Sequence, residues 1–235
     1  FSAADTVSKA DGGQFDGNIT MAGTLGVTGA TTLSGTLATT GNATFSGEII
    51  TSTSGTSNVR IGNNAGNAIQ SGGDFNILVG DVAGEAITTG DSNIAVGHGA
   101  GDALTTGSNN VAVGHLALST EDEHGYNVAV GHQALLNLNA GANGENVGVG
   151  YLAGKSMTTA VGNTLIGSQA GDALTDGSAN VAIGKGAMSA DTRGQNGVAI
   201  GRDALLSQNF TSSTDSYNVA IGRSAGEQIT TGIRN

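Results

Sequence analysis

Ten times between residues 58 and 222 the chain writes N-[VI]-x-[VI]-G, with Thr164 and Gly197 the only departures from that pattern. The units begin at 58, 76, 93, 110, 127, 146, 163, 180, 197 and 218, so most steps are 17 residues and the others 18, 19 and 21. A repeat of this length is too short for a helix pair but suits one coil of a β-solenoid. Successive coils would stack at the strand spacing of ~4.8 Å, so ten of them would rise roughly 45–50 Å. The spacing therefore predicts an all-β, parallel β-solenoid over residues 58–235.

Counting from the Asn as coil position 0, each position has a physical reading. Positions 1 and 3 are Val or Ile, as in Val111 and Val113, which is strand chemistry with a period of two. Position 4 is Gly in every unit, including Gly97, Gly114 and Gly131, and marks a backbone conformation or close approach that only Gly accepts cheaply. Position 7 is always Ala, including Ala100, Ala117 and Ala134, which predicts a site too tight for a larger side chain. The Asn itself, for example Asn93, Asn110 or Asn127, is expected to bond backbone across a turn and to stack into an Asn ladder. Position 2 is apolar and small, mostly Ala, and strands apolar on both faces are buried on both. The expectation is that Val and Ile fill the coil's own lumen while the Ala side meets a neighbouring chain. Arg60, Leu78 and Leu165 interrupt that Ala row.

The units come in two styles. Six units continue as AG and a TTG-like turn, such as AGDALTTG at 100–107; periodicity leaves open whether this is a strand or a helical turn. Four instead read ALST, ALLN, AMSA and ALLS from Ala117, Ala134, Ala187 and Ala204, and carry more varied loops.

Before residue 58 the period changes. Gly falls at 17, 23, 29, 35, 41 and 47, with apolar residues two and four positions after it. An even repeat keeps those residues on one face of an extended chain, which cannot bury itself alone. Residues 17–51 are thus expected to form an intertwined three-chain β shaft, preceded by a segment 1–16 and followed by a joint at 52–57. A homotrimer is the implied assembly. The opening without Met predicts a processed or partial chain. Asn235, 17 residues after Asn218, would open a further coil, so the array is expected to continue.

Composition narrows the classes. The chain holds 41 Gly, no Pro, Cys or Trp, and only eight Phe plus Tyr (five and three), so its core must be thin. Apolar residues at fixed positions argue against disorder. A net charge of −11 argues against nucleic acid as partner, and no apolar run reaches membrane-spanning length.

The N-[VI]-A-[VI]-G…A units resemble the head repeats of trimeric autotransporter adhesins. They look still more like the repeat arrays of bacteriophage tail-fibre proteins, and GTLGVTGATTLSGTLATTGNATFSG at 23–47 is similar to tail-fibre shaft sequence. The resemblance implies trimeric β-rolls, a place in a virion tail, contact with other tail or baseplate proteins, and attachment to a host glycan or surface receptor. The units here run longer than the adhesin repeat and no heptad stalk is present, which makes the phage fibre the leading expectation. A trimeric bacterial surface adhesin is the alternative, and a glycan-depolymerising tailspike the enzymatic one.

No nucleophile motif, phosphate-binding loop or zinc signature occurs, so neither an enzyme nor a cofactor is expected. His98, His115 and His132 share position 5 in consecutive coils and make a weak candidate metal ladder. Lys185, Arg202 and Arg223 continue the same column as a basic edge. In the varied loops, Tyr126, Phe210 and Tyr217 are the candidate receptor-binding residues, because an exposed ring beside polar groups suits a sugar.

Overall fold

A computed structural model describes residues 54–235. The expected segment 1–16, the shaft at 17–51 and the first two residues of the joint lie outside the described residues.

The described chain is all-β, a solenoid of ten coils. Ten three-residue strands, one per repeat, stack in chain order into one parallel sheet: β1 (Val59–Ile61), β2 (Ile77–Val79), β3 (Ile94–Val96), β4 (Val111–Val113), β5 (Val128–Val130), β6 (Val147–Val149), β7 (Thr164–Ile166), β8 (Val181–Ile183), β10 (Val198–Ile200) and β12 (Val219–Ile221). Two short strands, β9 (Gly194–Gln195) and β11 (Thr214–Asp215), pair in parallel in the loops of the last coils. The register matches repeat positions one for one, as in Val111↔Val128, Ala112↔Ala129 and Val113↔Val130, so the coils superpose residue on residue.

The AGDAL stretch is neither strand nor helix but a run of tight turns. The amide at position 7 donates to the carbonyl at position 4 (Ala100 to Gly97, 3.4 Å), and position 11 donates to position 8 (Leu104 to Gly101, 3.2 Å). Left-handed backbone recurs at positions 4, 6 and 8, here Gly97, Gly99 and Gly101. Other coils place Val82, Leu118 or Met188 in that region, which L side chains enter at a cost of roughly 1–2 kcal/mol each. The compensation is axial hydrogen bonding. The amide at position 6 donates to the coil below (Leu116 to His98 O, 3.0 Å), and that at position 8 to the coil above (Leu118 to Ala134 O, 3.0 Å).

The Asn residues form the second axial system. From Asn76 to Gly197, and again at Asn235, the backbone amide at position 0 donates to the Oδ1 of the preceding Asn, as Asn110 to Asn93 and Asn127 to Asn110, both 3.0 Å. Most side-chain amides close their own coil, as Asn93 Nδ2 to Gly107 O at 2.8 Å, whereas Asn127 Nδ2 donates to Gly125 O and Asn110 Oδ1, each at 3.3 Å. These Asn side chains are fully buried, and all three polar functions of such a residue are satisfied.

The inner and outer faces are the reverse of the sequence expectation. Position 2 points into the lumen: Ala95, Ala112, Ala129, Ala182 and Ala199 are completely buried, together with the Ala at position 7 in every coil but the last, where Ala225 is partly buried. The Val and Ile of positions 1 and 3 face outward, with Ile77 41% and Ile166 38% exposed. A small side chain at position 2 leaves room in the narrow lumen for the larger ones at positions 8 and 11, such as Leu104 and Leu118, which are buried there.

Leu78 and Leu165, which interrupt the Ala row, are also wholly buried in the lumen. Their bulk is matched by glycine at position 8 of their own coil and of the coil below, Gly66 and Gly84 for Leu78 and Gly154 and Gly171 for Leu165. A Cβ at Gly84 would lie 2.7 Å from Leu78, and one at Gly171 2.9 Å from Leu165. The same matching explains Gly148, the only Gly in the position 2 row, because its Cβ would lie 2.7 Å from Leu135 Cγ. Gly148→Ala should therefore overpack the lumen and lower stability by about 1–3 kcal/mol. Adding Leu135→Gly should restore most of the loss, because it recreates the arrangement of Gly101 beneath Ala112. Thermal melting of the single and double variants checks this, and equal melting of the single variant and the parent would refute the packing account.

Candidate functional surfaces

Three outward features arise from this backbone. The first is the outer strand face. Of its twenty side chains, at positions 1 and 3 of ten coils, only Thr164 is not Val or Ile, and none is charged. Apolar patches of this length seldom stay in contact with water on an isolated soluble chain. At its edge stands coil position −1, which is left-handed throughout and carries Phe75, Tyr126 and Tyr217. The rings of Tyr126 (54% exposed) and Tyr217 (48%) are open.

The second feature is the pair of loop clusters from the longer-looped coils, and here two carboxylates that the sequence reading missed do the organising. Three of the four coils with Leu or Met at position 8 bury a polar residue at position 11, where other coils hold Ile, Leu or Met: Glu121, Asp191 and Gln208. Glu121 accepts from the amides of His124 (3.2 Å) and Ala140 (3.0 Å) and meets His124 Nδ1 at 3.2 Å. Asp191 accepts from the amides of Arg193 (3.3 Å), Gly194 (3.0 Å) and Phe210 (3.1 Å), and from Gln208 Nε2 at 2.5 Å. Gln208 Oε1 then accepts from Asn218 Nδ2 at 2.7 Å, joining the network to the Asn ladder. Each carboxylate thus ties its own loop to the loop of the next coil. The signal was available: a carboxylate or amide at an otherwise apolar coil position.

This arrangement corrects one candidate. Phe210 is only 5% exposed, and its amide is held by Asp191, so its ring anchors the loop 207–217 instead of facing a ligand. A Phe in a long loop gains more by folding under it than by standing in water. Glu121, Asp122 and His124 each bring a possible metal-ligand atom within 4.8 Å of the others, but the Glu121 oxygens are already occupied by the loop amides.

The third feature is the column at position 5. His98, His115, His132 and Tyr151 stack with ring centroids 5.3, 5.1 and 5.4 Å apart and planes tilted by 13°, 16° and 26°. Near-parallel rings hold their nitrogens in successive planes instead of turning them to one point, so the ladder is a stack and not a chelate. His98 Nε2 lies 3.5 Å from Asp81 at the lower end. Above Tyr151 the column continues through Ser168 to exposed Lys185, Arg202 and Arg223; Arg202 meets the neighbouring Asp203 at 3.1 Å.

Two carboxyl groups carry shifted protonation. Burial pushes Asp102 and Asp172 above the usual carboxylate value of 3.8, against the opposing pull of backbone hydrogen bonds, and the Oδ1 of each is buried without a partner. A raised folded pKa means that the ionised form opposes folding at neutral pH, an effect relieved as pH falls through that value.

No protein-family model matches the chain, and neither a curated protein nor a solved structure matches it.

Proposed function

We propose that the chain is a structural segment of a phage tail fibre that attaches the virion to the host cell surface, and that it works as a homotrimer. The observation that carries the assembly is the outer face of Val and Ile. It runs the length of the stack, is about two side chains wide and holds no charge. A strip that repeats identically at every coil step is matched in period and chemistry by the same strip on another copy of the chain. Three copies about a common axis bury all the strips at once, which agrees with the three-chain shaft expected from residues 17–51. The tail-fibre assignment rests on the repeat and shaft sequences, and a stiff axial stack with organised side loops is the form such a role requires. Tyr126 and Tyr217, beside those loops, are the receptor-contact candidates that remain.

Light scattering of the native chain should give three times 22.9 kDa. The pair Val113→Asp and Val130→Asp, on the outer face alone, should give a folded monomer, because buried unpaired carboxylates at a subunit contact cost several kcal/mol. A folded parent monomer would overturn the assembly. For the attachment role, purified trimer added to susceptible cells should compete with virions for adsorption; undiminished adsorption at saturating trimer would overturn it.

A further inference from the structure

The upper half of the position 5 column has a chemistry unlike the rest of the surface. Of the seven Lys and Arg among the described residues, three stand in consecutive coils of this one column, on a chain whose net charge is −11. Lys185, Arg202 and Arg223 are all exposed. Lys185 and Arg202 lie on coils whose strands pair in register, as do Arg202 and Arg223, so the three charges rise in single file at the coil step of ~4.8 Å. Beneath them Ser168 and exposed Tyr151 continue the line with hydroxyl groups, and no carboxylate enters the column above Asp81.

Like charges one strand spacing apart repel, and a fold that stacks them in register gains nothing from their proximity. Asp203 answers one of the three, at Arg202. What complements the row is a linear ligand that carries one negative charge per repeat, with a repeat close to the coil step, and hydroxyl groups to meet Ser168 and Tyr151. We infer that the column from Tyr151 to Arg223 is a binding groove for an acidic polysaccharide, one whose sugars each bear a carboxylate, lying parallel to the solenoid axis. Uronate carboxylates would accept charge-assisted hydrogen bonds from the ammonium and the two guanidinium groups, and ring hydroxyls would bond Ser168 and the phenol. The inference extends the attachment reading to a ligand class, and its test uses a purified polymer so that it fails independently of that reading.

The probe is polygalacturonate, with dextran as the neutral counterpart and single-stranded DNA as the other polyanion. The native chain should be retained on immobilised polygalacturonate at low ionic strength, released as salt rises, and not retained on dextran. The variant Lys185→Gln, Arg202→Gln, Arg223→Gln should bind roughly tenfold more weakly or worse, the loss expected when charge-assisted contacts disappear. A charge-matched variant, Lys155→Gln, Arg193→Gln, Arg234→Gln, should bind like the parent, and circular dichroism melts of both should show that the fold persists. Equal weakening in the two variants would reduce the effect to net charge and overturn the groove. So would equal retention by dextran, the absence of retention by the parent, or DNA binding as tight as that of polygalacturonate.

Discussion

Gly114→Ala should be among the most damaging single methyl additions this fold can receive. Gly114 has φ +131°, a region that L side chains rarely enter, and a Cβ there would lie 2.4 Å from the carbonyl oxygen of Gly131 in the next coil. That oxygen belongs to backbone and has little freedom to move, because the Gly131 amide donates to Val113 at 2.7 Å and the Gly114 amide to Val96 at 2.8 Å. Strain and collision together should remove about 3 kcal/mol or more. Melting should fall by roughly 5–10 °C for a stack of this size. Gly222 separates the two causes. It shares the conformation, φ +121°, but a Cβ there meets nothing within 4 Å. Gly222→Ala should therefore show the strain alone and fall well short of Gly114→Ala. Equal effects would mean that coil-to-coil contact does not set the glycine requirement.

Asp191→Ala should be the second large loss, on the order of 3–5 kcal/mol. It leaves the amides of Gly194 and Phe210 and the Gln208 side chain buried with no acceptor, and each such orphan costs ~1–3 kcal/mol. Coils in a solenoid contact only their neighbours, so the damage should stay local. Hydrogen exchange should accelerate at 191–197 and 207–218 while coils β1 to β6 keep their protection. If exchange speeds up uniformly, the carboxylate is no loop anchor. Simple excision of 207–217 is a poorer experiment, because Gln208, Phe210 and Ser216 are themselves buried.

The repeat length, the strand positions, the glycine at position 4, the tight Ala at position 7 and the Asn column were all legible because a solenoid writes its geometry once per coil. The inside was not legible from hydrophobicity. Alternation defines two faces of β4 without saying which is inner, and Val111 and Val113 outrank Ala112 on any apolar scale. What decides is volume: Leu78 with Gly84 and Leu165 with Gly171 within a coil, and Leu135 with Gly148 between coils, show size compensation, which only an enclosed face requires. That pattern was present in the residues and went unread. The stack of His98, His115 and His132 followed directly from spacing. Phe210 and Asp191 did not, because a loop residue chooses its side by tertiary contacts that periodicity does not encode.

The direction of the inter-coil hydrogen bonds also determines how such a stack responds to a pull. They run along the axis, while the strands lie across it. Tension on the two ends of the array loads the end rung first and opens it as a zipper opens, instead of shearing many bonds at once. One 17-residue coil drawn out straight spans at most about 58 Å, against the ~4.8 Å it occupied when folded. Each yielding step therefore releases on the order of 50 Å of slack while the coils behind it stay intact. A single strand of this solenoid is ductile: under a sudden load it lengthens in instalments and dissipates work at each one, and the tether gives way rung by rung before it breaks.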